Sequence, residues 1–160
     1  MTELKELLRE ARAHFESAAI DRVDAELLLA HVLGVERMQL HAQTFQLNSE
    51  QEELFEELVN SRISGIPVQY LIGETPFRYL TFSVGPGVLI PRPETELLVD
   101  AAMVEIERLK SSLNAASGPV SVVDLGAGSG AISISIAHEA RQRDRKSTRL
   151  NSSHANISYA

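Results

Sequence analysis

The apolar positions of this chain fall into two regimes that meet near Gly65. Leu4, Leu7, Leu8, Ala11 and Phe15 recur at i, i+3, i+4 spacing and predict a helix from Thr2 to about Ala18. Val23, Leu27, Leu28, His31 and Val32 make a second stripe, with Asp21 suited to cap its start and Gly34 to end it. His31 stands alone among the chemistry-bearing residues of that stripe, so it reads as a packed or rim residue rather than a ligand. A short helix is predicted around Arg37–Ala42. Ser49-Glu50-Gln51-Glu52 has the form of a capping box, opening a helix whose apolar face is Leu54, Phe55, Leu58 and Ile63 and which Gly65 and Pro67 terminate. The acidic run Glu50–Glu57 is its solvated side. Residues 1–65 therefore predict an all-helical bundle, with apolar faces short enough to lean on a neighbour.

Past Gly65 the period changes. Gly65-Ile66-Pro67-Val68-Gln69-Tyr70-Leu71-Ile72-Gly73 begins with turn chemistry and continues as an extended or single-turn segment. Phe77, Tyr79 and Thr81 alternate with Arg78, Leu80 and Phe82, which predicts a strand. Gly85-Pro86-Gly87 is the expected turn and Val88-Leu89-Ile90 the return strand of a hairpin. Pro91 and Pro93 stiffen the crossing around Arg92, and Glu94 and Glu96 open a helix where its dipole favours acids. The face of that helix is Val99, Met103, Ile106, Leu109 and Leu113, and Ser117-Gly118-Pro119 ends the connection. A β-branched strand over Val120–Leu125 then turns through Gly126, Ala127, Gly128, Ser129 and Gly130 into a helix. Strand, glycine turn and helix are the parts α/β proteins use to hold a nucleoside-like cofactor, since glycine admits positive φ and close approach of a ligand. Ile132-Ser133-Ile134-Ser135-Ile136 alternates as a strand would, but its place after the glycine turn favours helix, with Ile132 and Ile136 sharing a face.

Composition narrows the function. With no cysteine, the chain can build neither a disulfide framework nor a thiolate metal site, and no metal is expected. Met1-Thr2-Glu3-Leu4-Lys5-Glu6 lacks the basic start and apolar core of a signal peptide, and no apolar run reaches the ~20 residues of a membrane helix. A cytoplasmic, soluble monomer with no membrane partner is the expectation. The net charge is −7, yet residues 141–160 place Arg141, Arg143, Arg145, Lys146 and Arg149 against Asp144 alone. The acidic body does not favour binding to phosphate backbones, so no direct nucleic-acid partner is expected.

Three ordered motifs, G-I-P-V-Q-Y-L-I-G at 65–73, L-I-P-R-P-E-T-E at 89–96 and D-L-G-A-G-S-G-A-I at 124–132, resemble the N-terminal half of the release factor glutamine methyltransferases. D-A-E-L-L-L-A-H-V-L-G at 24–34 resembles that family's N-terminal domain, and the resemblance covers roughly residues 4–140. It implies an α/β protein in four parts: a helical substrate-recognition domain (1–65), a linker with a β-hairpin (66–93), the start of a Rossmann-like class I methyltransferase domain (94–140), and a tail (141–160). It further implies methyl transfer from S-adenosylmethionine to the glutamine amide of the Gly-Gly-Gln motif in peptide chain release factors. Asp124, Gly126, Ala127, Gly128, Ser129 and Gly130 would hold the methyl donor, with Asp124 orienting its ammonium. Arg92 and Glu94 would cover the donor site, or else the segment is a rigid corner between domains. An amide nitrogen is a poor nucleophile, and the family answers with an Asn-Pro-Pro-Tyr loop that accepts the amide hydrogens.

The sequence departs from that pattern at its end. None of Asn48, Asn60, Asn114, Asn151 and Asn156 is followed by proline, so the catalytic loop is absent from these residues. A ribose-binding acid is expected ~20 residues past the loop on a second strand. Asp144 has that spacing but sits in R-Q-R-D-R-K, which no buried strand accommodates. Lys146–Ala160 is polar and Ser/Asn-rich, with the look of a non-native tail and of disorder, and the expectation is an inactive, truncated fragment. Other readings stay open. One is another class I methyltransferase acting on nucleic acid or a different protein. A dinucleotide oxidoreductase is a second, against which G-x-G-x-G in place of G-x-G-x-x-G argues. A non-catalytic module binding release factors is a third.

Overall fold

The computed structural model describes residues 4–112 and 120–148, the side chains of 144–148 excepted. The chain divides after Glu74 into two compact units. The first contains α1 (Leu4–Ser17), α2 (Val23–Leu33), α3 (Gln39–Ala42), α4 (Ser49–Ile63) and α5 (Val68–Ile72). The second contains most of a hairpin, β1 (Glu74–Phe77) with β2 (Leu80–Ser83), then a 3₁₀ turn (Pro93–Thr95), α6 (Glu96–Ser112) and α7 (Ala131–Thr148). The described residues are thus mostly helical, with one two-stranded antiparallel sheet.

In the first unit α2 lies against α1, α4 and α5. α1 buries Leu7, Leu8, Ala11 and Phe15, the stripe its spacing predicts. α2 turns differently from expectation. It buries Ala25, Glu26, Leu28, Leu29 and Ala30, while Val23 and His31 face solvent. Its small alanines are on the inner side because α2 has neighbours on more than one side, which a single-stripe reading does not foresee. Asp21 accepts the Val23 N–H at 2.9 Å, and Gly34 ends the helix at φ 65°, as expected. The capping box of α4 is one residue earlier than Ser49. Asn48 Oδ1 accepts the Gln51 N–H at 2.9 Å, and the Gln51 side chain accepts the Asn48 N–H at 3.1 Å. Asn48 and Ser49 both suit the N-cap, with Gln51 or Glu52 respectively at N3, and the structure adopts the Asn48 register. α4 buries Phe55 and Val59, leaving Leu54 and Ile63 exposed. Leu40, Leu47 and Val68 complete this core.

The second unit corrects the hairpin. Its turn is Arg78-Tyr79, not Gly85-Pro86-Gly87, and Val88–Ile90 is not a strand of the one sheet among the described residues. Both common two-residue hairpin turns require positive φ at their first central residue, and Arg78 adopts φ 55° there. For a residue with a Cβ this costs about 1–3 kcal/mol, so something must hold it. Phe77 and Phe82 sit edge to face across the hairpin, ring centroids 6.1 Å apart, and pack with Val99, Met103 and Ile106 of α6 and Ala131, Ile136 and Ala140 of α7. Leu113 and Ser117-Gly118-Pro119 lie outside the described residues.

Val120–Leu125, expected as a strand, belongs to no sheet among the described residues. A strand persists through hydrogen bonds to a neighbouring strand, and among the described residues none pairs with this segment. Residues 131–136 are helical in spite of their alternation, as their position after the glycine turn predicts. Residues 141–148, expected as disordered tail, continue α7; 149–160 lie outside the described residues.

Candidate functional site

Gly126, Gly128 and Gly130 have φ of 77°, 56° and 74°, so the turn into α7 is left-handed at alternate residues. A side chain at Gly130 would be strained by the φ of 74°, and its Cβ, 2.9 Å from Ile134 Cδ1, would push the Ile134 side chain aside. Around Gly126 no atom lies within 4 Å of such a Cβ, leaving that side of the backbone open to approach. The turn is tied by the Gly130 N–H donating to the Ala127 carbonyl at 2.8 Å, and α7 begins with the Ile134 N–H on the Gly130 carbonyl at 2.9 Å. Ala127 is exposed and Ser129 half-buried. Asp124, just before the turn, has a buried carboxylate oxygen, Oδ2, with no hydrogen-bond partner among the described residues. A buried acceptor without a donor is costly, and a cationic donor suits it best.

Arg92 and Glu94, the candidate cover residues, are both exposed. Arg92 precedes the 3₁₀ turn in extended backbone, its carbonyl accepting the Thr95 N–H at 3.0 Å.

The strongest polar constellation of this unit is one the sequence pattern did not single out. The Arg78 side chain, only 10% exposed, donates from Nε and Nη2 to the two oxygens of Glu139 on α7 at 2.7 and 2.8 Å. Its Nη1 meets Asp100 of α6 at 2.7 Å and the Glu96 carbonyl at 3.5 Å, and its backbone N–H donates to the Glu96 carboxylate at 3.0 Å. The Glu139 hydrogen bonds raise the Arg78 pKa against the opposing effect of burial, with Asp100 adding to them, so the guanidinium stays charged. Strand alternation hid Arg78, and Glu139, buried on α7, belongs to no sequence motif that would have singled it out.

The helical unit has its own centre at Glu26, a buried carboxylate of α2. Arg12 of α1 donates to one oxygen, and Arg37 and His41 approach the other at 3.3 and 3.4 Å. Burial works to raise the Glu26 pKa, but the hydrogen bonds and charges of Arg12 and His41 together outweigh it and hold the carboxyl below its ordinary value. Beside it Arg62 of α4 donates to Asp24 of α2 at 2.8 Å. No group of three or more metal-ligating side chains occurs among the described residues, and none of their helices is long and apolar enough to cross a membrane.

The described chain is thus a helical unit followed by a hairpin and a glycine turn into a helix. Residues 6–73 match the PrmC N-terminal domain. The chain is 46% identical over 136 residues to the release factor glutamine methyltransferase of Chlorobaculum tepidum, covering 82% of this chain and 45% of that protein. It is 38% identical over 139 residues to the enzyme of the same name from Nitratidesulfovibrio vulgaris, covering 85% of this chain and 44% of the relative. With that of Mycolicibacterium smegmatis it shares 39% over 146 residues, covering 89% and 48%. The chain is thus similar to the N-terminal portion of proteins named release factor glutamine methyltransferase, and spans a little under half the length of these relatives.

Proposed function

We propose that this chain carries the release-factor-recognising domain and the methyl-donor turn of a protein-glutamine N-methyltransferase. Its substrate is the Gly-Gly-Gln glutamine of peptide chain release factors. The observation that carries this reading is the 46% identity to the Chlorobaculum relative. In it, residues 1–65 engage the release factor, 66–93 link, and 94–140 begin a Rossmann-like domain; the protein works in the cytoplasm as a monomer, without nucleic acid.

The residues present fit S-adenosylmethionine. Asp124 Oδ2, a buried acceptor without a donor, suits the amino group of such a ligand, and the open side of Gly126 admits it close to the backbone. Gly128, Ala127, Ser129 and Gly130 shape the rest of the turn. The donor carries no phosphate, so the turn has to offer close approach more than an anion cradle. When bound, the cofactor supplies an electrophilic sulfonium methyl. Arg92 and Glu94 are placed by this reading over the donor. The Asn-Pro-Pro-Tyr sequence that would orient the amide does not occur in these 160 residues, so by themselves they turn over no substrate.

The test is a chimera. Residues 1–140 joined to the matching remainder of the Chlorobaculum enzyme should transfer labelled methyl to a release factor. A folded chimera that is inactive beside an active parent refutes the reading. A second reading, a binding module without catalysis, is favoured by the closed core of the helical unit. It requires the 160-residue chain to retain a release factor on a column with no methyl transfer.

A further inference from the structure

Arg78 is an unexpected residue for its position. The first place of a two-residue hairpin turn goes by preference to glycine or asparagine, because the backbone there is left-handed. Here an arginine holds φ 55° with its side chain buried, and its donors are divided between two helices. One set reaches Glu96 and Asp100, at the end of the P-R-P-E-T-E segment and one turn beyond it. The other makes a two-pronged contact with Glu139, two turns along α7 from the residue that follows Gly130. Two carboxylates, Glu139 and Asp100, meet this one cation, and a third, that of Glu96, accepts the Arg78 backbone N–H. Lysine could not substitute, since a compact ammonium lacks the planar fork that matches a carboxylate.

We propose that Arg78 is a positioning residue, fastening the P-R-P-E-T-E corner and the helix opened by the glycine turn to the same hairpin, so that the donor turn and its cover are held as one piece. This rests on the donor-site reading for its meaning, though not for its test. The fastening acts through Glu139 on one side and through Glu96 with Asp100 on the other, and the two sides can be released separately.

Hydrogen exchange of single amides in the 160-residue chain reads this directly. Arg78→Met should speed exchange at both Thr95 and Ile134 by about tenfold or more, because local opening replaces a held state. Met103, in the middle of α6, and Leu28, in α2, should keep their rates. Glu139→Gln should speed Ile134 and leave Thr95 alone. Arg78→Lys, which keeps the charge and loses the fork, should protect Thr95 as the native residue does and leave Ile134 fast. If Arg78→Met fails to fold, the Glu139→Gln and Arg78→Lys pair carries the same distinction. Equal acceleration at Met103 and Ile134 would mean general loss of stability and would overturn the proposal, as would an unchanged rate at Ile134 in all three variants. No methyl donor is present in these measurements. A separate titration with S-adenosylmethionine therefore bears on the donor-site reading alone.

Discussion

In the helical unit Phe15, Ala25, Leu28 and Leu29 are wholly shielded from solvent, whereas after Glu74 the side chains of Leu97, Val104, Val123 and Leu125 are between 70% and 91% exposed. The helices of the first unit find neighbours for their apolar sides within the same stretch of chain, α2 on more than one side. α6 in the second unit is apolar on two sides. Val99, Met103 and Ile106 face α7, while Leu97, Ala101 and Val104, at the same spacing, face solvent. A helix of that pattern is built for the interior of a layered fold. The difference teaches that core closure is a property of each unit, while each unit also has its own buried polar centre, at Glu26 in the first and at Arg78 in the second.

That contrast can be broken by substitution. The largest effect expected is from Leu28→Ala, which removes a fully shielded side chain and should cost about 2–5 kcal/mol in denaturant unfolding, while the cognate change at Leu97 should cost less than ~0.5 kcal/mol. Acidification comes next. The Glu26 carboxyl is held below its ordinary value of 4.5, so its contribution to stability is fully present above that pH and is lost as pH falls through its folded value. Thermal melting of the helical unit should therefore fall below about pH 4.5, and Glu26→Gln should flatten that part of the curve. Asn48→Ala should cost about 1 kcal/mol through loss of the capping box of α4. Smallest of all, Leu97→Glu should leave the melting temperature unchanged and raise solubility; a cooperative loss of stability there would show that α6 has no free side.

Legibility in the sequence followed how local the determinant was. The stripe of α1, the stop at Gly34 and the inner face of α6 are set by residues within a turn or two of each other, and periodicity finds them. The capping box slipped by one residue because Asn48 and Ser49 both suit an N-cap, and each has a side chain three residues on, Gln51 or Glu52, able to reach back. The hairpin moved because glycine and proline at 85–87 are stronger local punctuation than Arg78-Tyr79, whereas the actual turn is held by groups far along the chain. The glycine turn was legible in backbone terms, through its positive-φ residues. What the sequence could not foresee was which acids would meet Arg78, since Glu139 carries no motif. It was equally silent about Val120–Leu125, whose composition suits a strand but whose structure depends on a neighbour.

Arg78 and Glu139 are 61 residues apart, so the bond that holds the strained turn cannot form when the turn is made. At about 5–20 residues per second, a ribosome takes roughly 3–12 seconds to reach Glu139 after Arg78. For that interval the chain lacks the anchor that would offset the cost of the left-handed turn. The nascent chain should therefore leave the turn open while the helical unit, complete by Gly73, has already closed.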